Sequence, residues 1–223
     1  MHSLTFPLLL LTIIISGCAG PTQPIKFKAT RVLDKESFSQ IKENEEGIVL
    51  LDVNWGRKWA CGDYENAQLL TVAFDKLPFI EHSNEALPDL VLQSPSRLFV
   101  NSEFISYAYS IPAGEYAISA VSIKAASSVS DVGFFVFQRD ELFKAGEPIG
   151  GTFSVNPGET VFIGNFFLDC TFSPMLWRYY PDSREAFKHQ ITDYQKGFPF
   201  IDLNDVTYRL FKTKEFGYNY ELK

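Results

Sequence analysis

Gly47-Ile48-Val49-Leu50-Leu51-Asp52-Val53-Asn54-Trp55 is the stretch that decides the fold. Successive side chains of an extended chain point to opposite faces. Val49, Leu51, Val53 and Trp55 therefore share one face, and Ile48, Leu50, Asp52 and Asn54 share the other. An aliphatic run of this length, opened by glycine and carrying polar residues on its second face, reads as a half-buried strand.

The alternation recurs outward from this segment. Leu70, Val72 and Phe74 repeat it, and β-rich runs follow at Phe104 to Ile111, Glu115 to Lys124, Val132 to Gln138, Gly151 to Val155 and Glu159 to Phe167. In the run after Gly114, Tyr116, Ile118 and Ala120 share a parity that Val121 and Ile123 reverse, which predicts a bulge near Ala120. Val132 to Phe137 is apolar on both faces and is expected to be either a central strand covered on two sides or one lying beneath the C-terminal segment. Beyond Pro181 the period becomes helical. Asp182 and Glu185 are placed for a capping box, Phe187, Ile191 and Tyr194 form one face, and Gly197 and Pro199 end the helix. Val206 to Lys212 alternates again as a closing strand, and Asp34 with Phe38 suggests a short helix near the start. Many short strands between Gly, Pro and Asn turns, followed by one helix, predict a mainly β fold: an antiparallel β-sandwich with a C-terminal amphipathic helix packed on it. The sandwich is expected over residues 25–172, with the helix and closing strand over 173–223.

Ile111-Pro112-Ala113-Gly114-Glu115-Tyr116-Ala117-Ile118 and Val155-Asn156-Pro157-Gly158-Glu159-Thr160-Val161-Phe162-Ile163 share a design of strand, Pro/Gly turn and strand. Proline pre-sets φ at the turn and glycine supplies a positive φ. With Gly164 closing the second motif, the pair resembles the "PAGxY" and "PGExxYIG" strands of bacterial lipoproteins that carry a carboxypeptidase-regulatory or transthyretin-like β-sandwich. Phe162 stands where that group has tyrosine. The resemblance spans roughly residues 90–170; it implies the sandwich and no enzymatic activity.

The N-terminus points the same way. Leu4 to Ile15 is almost wholly apolar and runs into Ser16, Gly17 and Cys18. A spanning helix needs roughly 20 apolar residues and a signal-peptide core about 7–15, so this run is a secretion signal. Ile15-Ser16-Gly17-Cys18 resembles a lipobox, which implies a signal peptide over residues 1–17, lipidation of Cys18 with diacylglycerol and palmitate, and a tether over residues 18–24. The n-region departs from the pattern, since Met1-His2-Ser3 holds no Lys or Arg. Ala19 is not the aspartate of the inner-membrane retention signal, so the resemblance implies the periplasmic face of the outer membrane.

Removing residues 1–17 removes no charged side chain, so the chain keeps 27 acidic against 20 basic residues and a formal charge of −7. Phosphate backbones repel such a domain, which excludes nucleic acid as a partner and leaves the acyl chains to hold the membrane. Cys61 and Cys170 form an even pair in a compartment that permits oxidation; a disulfide is the hypothesis, and two buried thiols the alternative.

Catalytic and metal motifs do not emerge. His82 and His189 sit in no triad or ligand spacing, no G-x-S-x-G occurs, and Glu45-Glu46 and Asp140-Glu141 read as solvated turn charges. No cofactor, metal ligand or catalytic residue is assigned. The most unusual stretch runs from Trp55 through Arg57, Lys58 and Trp59 to Tyr64, crowding aromatic rings and cations into a hairpin. Such rings stack on sugars and such cations pair with carboxylates, so it is the candidate surface for a glycan or an envelope protein. Its alternative is that both tryptophans fill the core. Met175 to Tyr180, a second aromatic cluster, is expected to dock the C-terminal helix. The function expected is a non-catalytic binding or scaffolding module in the cell envelope; the rival is a hydrolase or glycan-processing enzyme whose site is assembled from loops.

Overall fold

The computed structural model describes residues 27–40, 45–79, 87–96 and 101–218. The expected signal peptide, Cys18 and the tether lie outside the described residues, as does His82.

Strand β1 (Glu46–Val53) is the centre of the first sheet. It pairs antiparallel with β5 (Ile105–Pro112) and parallel with β11 (Thr160–Asp169), which in turn holds β12 (Met175–Tyr179) antiparallel and β13 (Thr207–Tyr208) parallel. The second sheet is antiparallel. Its order is β10 (Thr152–Val155), β6 (Gly114–Ala126), β3 (Tyr64–Lys76) and β2 (Lys58–Cys61), with β4 (Leu90–Gln93) on β3 and β7 (Val132–Phe137) on β6. A two-residue helix-flanking hairpin, β8 (Phe143–Lys144) and β9 (Glu147–Pro148), stands apart after the short helix α2 (Arg139–Leu142). The mainly β sandwich expected from the sequence is the fold, with parallel pairing confined to the neighbours of β11.

The two sheets face each other over one core. Val49, Leu51, Val53 and Trp55 meet Leu69, Val72 and Phe74 from the second sheet. Phe74, Phe166 and Phe211 meet edge to face with ring centroids 5.6–6.1 Å apart, a geometry that suits the aromatic quadrupole.

The two Pro/Gly turns are corners rather than hairpins. One carries the chain from β5 in the first sheet to β6 in the second, and the other from β10 in the second to β11 in the first. They lie side by side, because β10 pairs with β6 at Val155 and Gly114. The start of β1 is laced to both: Ala113 N–H donates to Glu45 O at 3.2 Å and Gly158 N–H to Glu46 O at 2.7 Å. Gly158 takes the positive φ expected of it, 71°. Gly47 is glycine because a Cβ there would sit 2.3 Å from Val155 Cγ2 and 2.6 Å from the Asn156 carbonyl oxygen.

Four local expectations need correction. β1 is buried on both faces, not half-buried, because the helix α3 (Arg184–Gly197) covers Ile48 and Leu50 with Ile191 and Tyr194, joined by Phe198 just beyond its end. β7 is not a central strand: among the described residues it pairs with β6 alone, and all six of its residues are only half-buried. Its inward Phe135 and Phe137 join the core, and Phe135 packs edge to face on Tyr64, so its apolar outer face needs no second layer to hold the strand. The cap of α3 is Ser183, whose hydroxyl accepts the Ala186 N–H at 3.1 Å, rather than Asp182. Met175 to Tyr179 is strand β12, bonded to β11, and is not a staple for the helix.

The bulge is where the parity change placed it. Ala73 faces Ala120 but Phe74 faces Ile118, so Ser119 is the extra residue. The closing segment is strand-like for only two residues. It then crosses between the sheets, bonding Phe211 N–H to Ile163 O at 2.9 Å and pairing Lys212 with Thr152. Near the start, helix α1 (Lys35–Gln40) follows Asp34, whose carboxylate accepts the Ser37 N–H at 2.8 Å.

Candidate functional site

Beyond β1 the chain turns into the β2–β3 hairpin, whose two-residue loop is Gly62-Asp63. Gly62 takes φ 59°, and a Cβ there would lie 2.1 Å from the Phe172 carbonyl oxygen, so the loop following Cys170 rests directly on the hairpin tip. The contact is covalently closed. Cys61 and Cys170 form a disulfide with a Cα–Cα distance of 4.5 Å, tying the second sheet to the end of β11 in the first. The disulfide hypothesis holds and the free-thiol alternative falls.

The structure divides the aromatic segment. Trp55 is fully buried, and its indole N–H donates to the Tyr107 hydroxyl at 2.8 Å, so it belongs to the core. Trp59, four residues on, is 65% exposed. Arg57 stacks over the Trp59 ring at 5.5 Å, and its Nε is buried with no hydrogen-bond partner among the described residues. Lys58 is half-buried in β2, and Tyr64 is half-buried against Phe135. Ala60 adopts φ 55°, a left-handed conformation that costs a non-glycine residue about 1–2 kcal/mol. Strain of this kind, set between an exposed tryptophan and a disulfide, is held by the surrounding staple. Phe172, 87% exposed, stands on the loop that covers Gly62. The surface that results is Trp59 with Arg57 over its ring, without Trp55.

Other candidates resolve into structure. His189 is exposed on α3. Glu46 accepts the Ser110 hydroxyl, and Glu141 accepts the Gln138 N–H at 3.1 Å to cap α2. Among the described residues no group of three or more His, Cys, Asp or Glu could hold a metal ion, and no helix is long and apolar enough to cross a membrane.

Asp52 and Arg178 are buried polar centres that escaped the sequence reading. Asp52, 5% exposed, accepts hydrogen bonds from Tyr194 Oη at 2.7 Å and Gln190 Nε2 at 2.6 Å. Burial raises its carboxyl above the usual aspartate value, against the lowering effect of those bonds and one from Ser106. Its signal in the sequence was a carboxylate inside an aliphatic strand. Arg178, 2% exposed, lies in β12 and donates to the carbonyls of Phe211 and Tyr218. Its signal was a lone cation within an aromatic cluster.

Compared with protein-family models, with curated proteins and with solved structures, the chain matches none, so its functional reading rests on its own residues.

Proposed function

We propose that this chain is a cell-envelope lipoprotein, released from a signal peptide over residues 1–17 and anchored by acyl chains on Cys18, whose sandwich is a non-catalytic binding or scaffolding module. The lipobox Ile15-Ser16-Gly17-Cys18 supports the anchor, and the alanine at position 19 favours the periplasmic face of the outer membrane. The paired Pro/Gly turns support kinship with lipoproteins of the carboxypeptidase-regulatory type.

The observation that carries the binding role is the exposure of Trp59 at the tip of a disulfide-braced hairpin. Leaving an indole in water forgoes roughly 1.5–3 kcal/mol of burial. Here a covalent staple and a strained Ala60 keep it displayed. A rigid aromatic face beside a guanidinium suits a sugar ring bearing a carboxylate, or an acidic protein partner.

Two measurements test the proposal. Labelled palmitate should enter the wild-type chain and not Cys18→Ala; label in both excludes the anchor at that residue. Glycan or partner retained from detergent-solubilised envelope by the wild-type protein should be lost with Trp59→Ala, and equal retention by a folded variant discards the aromatic surface.

A further inference from the structure

Where the C-terminal segment leaves the first sheet for the second, it opens a cleft of about 1390 Å³. Five cations line it: Arg178, Arg184, Arg209, Lys212 and Lys214. Two carboxylates, Glu115 and Glu215, stand against them. The excess runs opposite to the chain as a whole, where acids outnumber bases 27 to 20.

The cations do not have equal freedom. Arg209 is already paired with Glu159, through two bonds of 2.6 and 2.8 Å, and also donates to the Ser154 carbonyl at 3.0 Å. It frames the cleft. Arg184, Lys212 and Lys214 make no ion pair with any described residue. Arg178 is the unusual one. It is wedged between Gly164 and Gly217, where a Cβ would come within 3.2–3.3 Å of its side chain, and its guanidinium lies 5.1 Å from the Tyr180 ring. Its bonds go to two carbonyls, its Nε has no partner, and no carboxylate is within ion-pairing reach among the described residues. A buried cation without a counter-charge is costly to fold around, and burial lowers its hold on its proton. An anion in the cleft would offset that cost.

We propose that this cleft binds a phosphate monoester, free or as a lipid headgroup, through Arg178, Arg184, Lys212 and Lys214. Phosphate suits the donor set better than a single carboxylate. It carries nearly two negative charges and three acceptor oxygens, which spread over several cations, and guanidinium and ammonium groups both bind it well. The cleft is larger than the ~300–1,000 Å³ typical of small-molecule sites, so the phosphate has room for the body that carries it. The site is separate from the Trp59 hairpin and does not depend on the lipid anchor.

The test is calorimetric titration of the full-length protein in non-ionic detergent with glycerol 3-phosphate, dihexanoyl phosphatidate and, as control, dihexanoyl phosphatidylcholine. Lys212→Gln with Lys214→Gln, and separately Arg184→Gln, remove exposed cleft cations; Lys28→Gln removes an exposed lysine beside β4, across β3 and β6 from the cleft. Binding of either phosphate monoester that weakens at least tenfold in the double variant, weakens in Arg184→Gln and is unchanged in Lys28→Gln supports the site. Binding of glycerol 3-phosphate assigns it to the free ester, and binding of phosphatidate alone assigns it to a lipid. No binding of either probe, binding of phosphatidylcholine equal to that of phosphatidate with none of glycerol 3-phosphate, or equal weakening by Lys28→Gln overturns it.

Discussion

Tyr194 donates a hydrogen bond to Asp52 at 2.7 Å, joining the C-terminal helix to the central strand across 142 residues of sequence. Gln190, one turn earlier, reaches the other carboxylate oxygen at 2.6 Å and Asn165 of β11 at the same distance. The helix is therefore docked by polar bonds as well as by Ile191 and Phe198. Because Asp52 and Tyr194 are both buried, neither can turn to water if its partner is lost.

Tyr194→Phe is expected to cost about 1–3 kcal/mol, the range for leaving a buried polar group without its partner. Urea unfolding at neutral pH measures it. A loss under 0.5 kcal/mol would mean that Gln190 alone satisfies the carboxylate.

The Asp52 carboxyl is raised in the folded protein, so the native state holds that proton more tightly than the unfolded chain does. Its contribution to stability is complete below the unfolded aspartate value, near 3.8, and is lost as pH rises through the higher folded value. Asp52→Asn should remove that fall from the stability–pH curve. An unchanged slope in the variant would assign it to another group.

Glu159 behaves in the opposite sense. Burial pushes its carboxyl up, but bonds from Arg209, the Asn156 N–H and Thr207 outweigh burial and hold it below the ordinary 4.5. Its contribution is present above the unfolded glutamate value and is lost as pH falls through the folded one. Arg209→Gln should raise the Glu159 pKa in an NMR titration and flatten this acid limb; a carboxyl that still titrates low in the variant would put the effect in the backbone bonds.

The disulfide closes a loop of 109 residues. In the chain-entropy model a closure of about 100 residues is worth about 4.7 kcal/mol, so Cys61→Ala with Cys170→Ala should lose roughly 3–5 kcal/mol, and reductant should lower the wild-type Tm but not the variant's. Thermal unfolding with and without reductant reads both effects, and a reductant-insensitive wild type would contradict them.

The two tryptophans should part company. Trp55→Ala removes a fully buried ring bonded to Tyr107 and should cost about 3–5 kcal/mol, whereas Trp59→Ala changes an exposed one and should stay within about 0.5 kcal/mol. Denaturation of both variants measures the contrast, and comparable losses would place Trp59 in a packed environment.

Much of this was legible in the residues. The alternation from Gly47, the parity change at Ala120, the Pro/Gly turns and the helix after Pro181 are relations between neighbours in sequence, and each appears in the fold close to where its pattern lies. The cysteine pair could be named but not joined, since pairing needs the 4.5 Å approach that only the assembled sheets create. Val132 to Phe137 misled because an apolar run records what a strand could bury and not how many layers arrive to bury it.

Strand, turn and helix were thus determined by the sequence itself, because backbone preference and side-chain period act over a few residues. Only the tertiary structure decided that the Pro/Gly turns are corners between sheets, that Trp55 is core while Trp59 faces solvent, and that Asp52 and Arg178 are buried on opposite terms, one bonded by a helix and the other left facing a cationic cleft. Those outcomes depend on which distant surfaces meet, and on whether a charge removed from water finds its partner there.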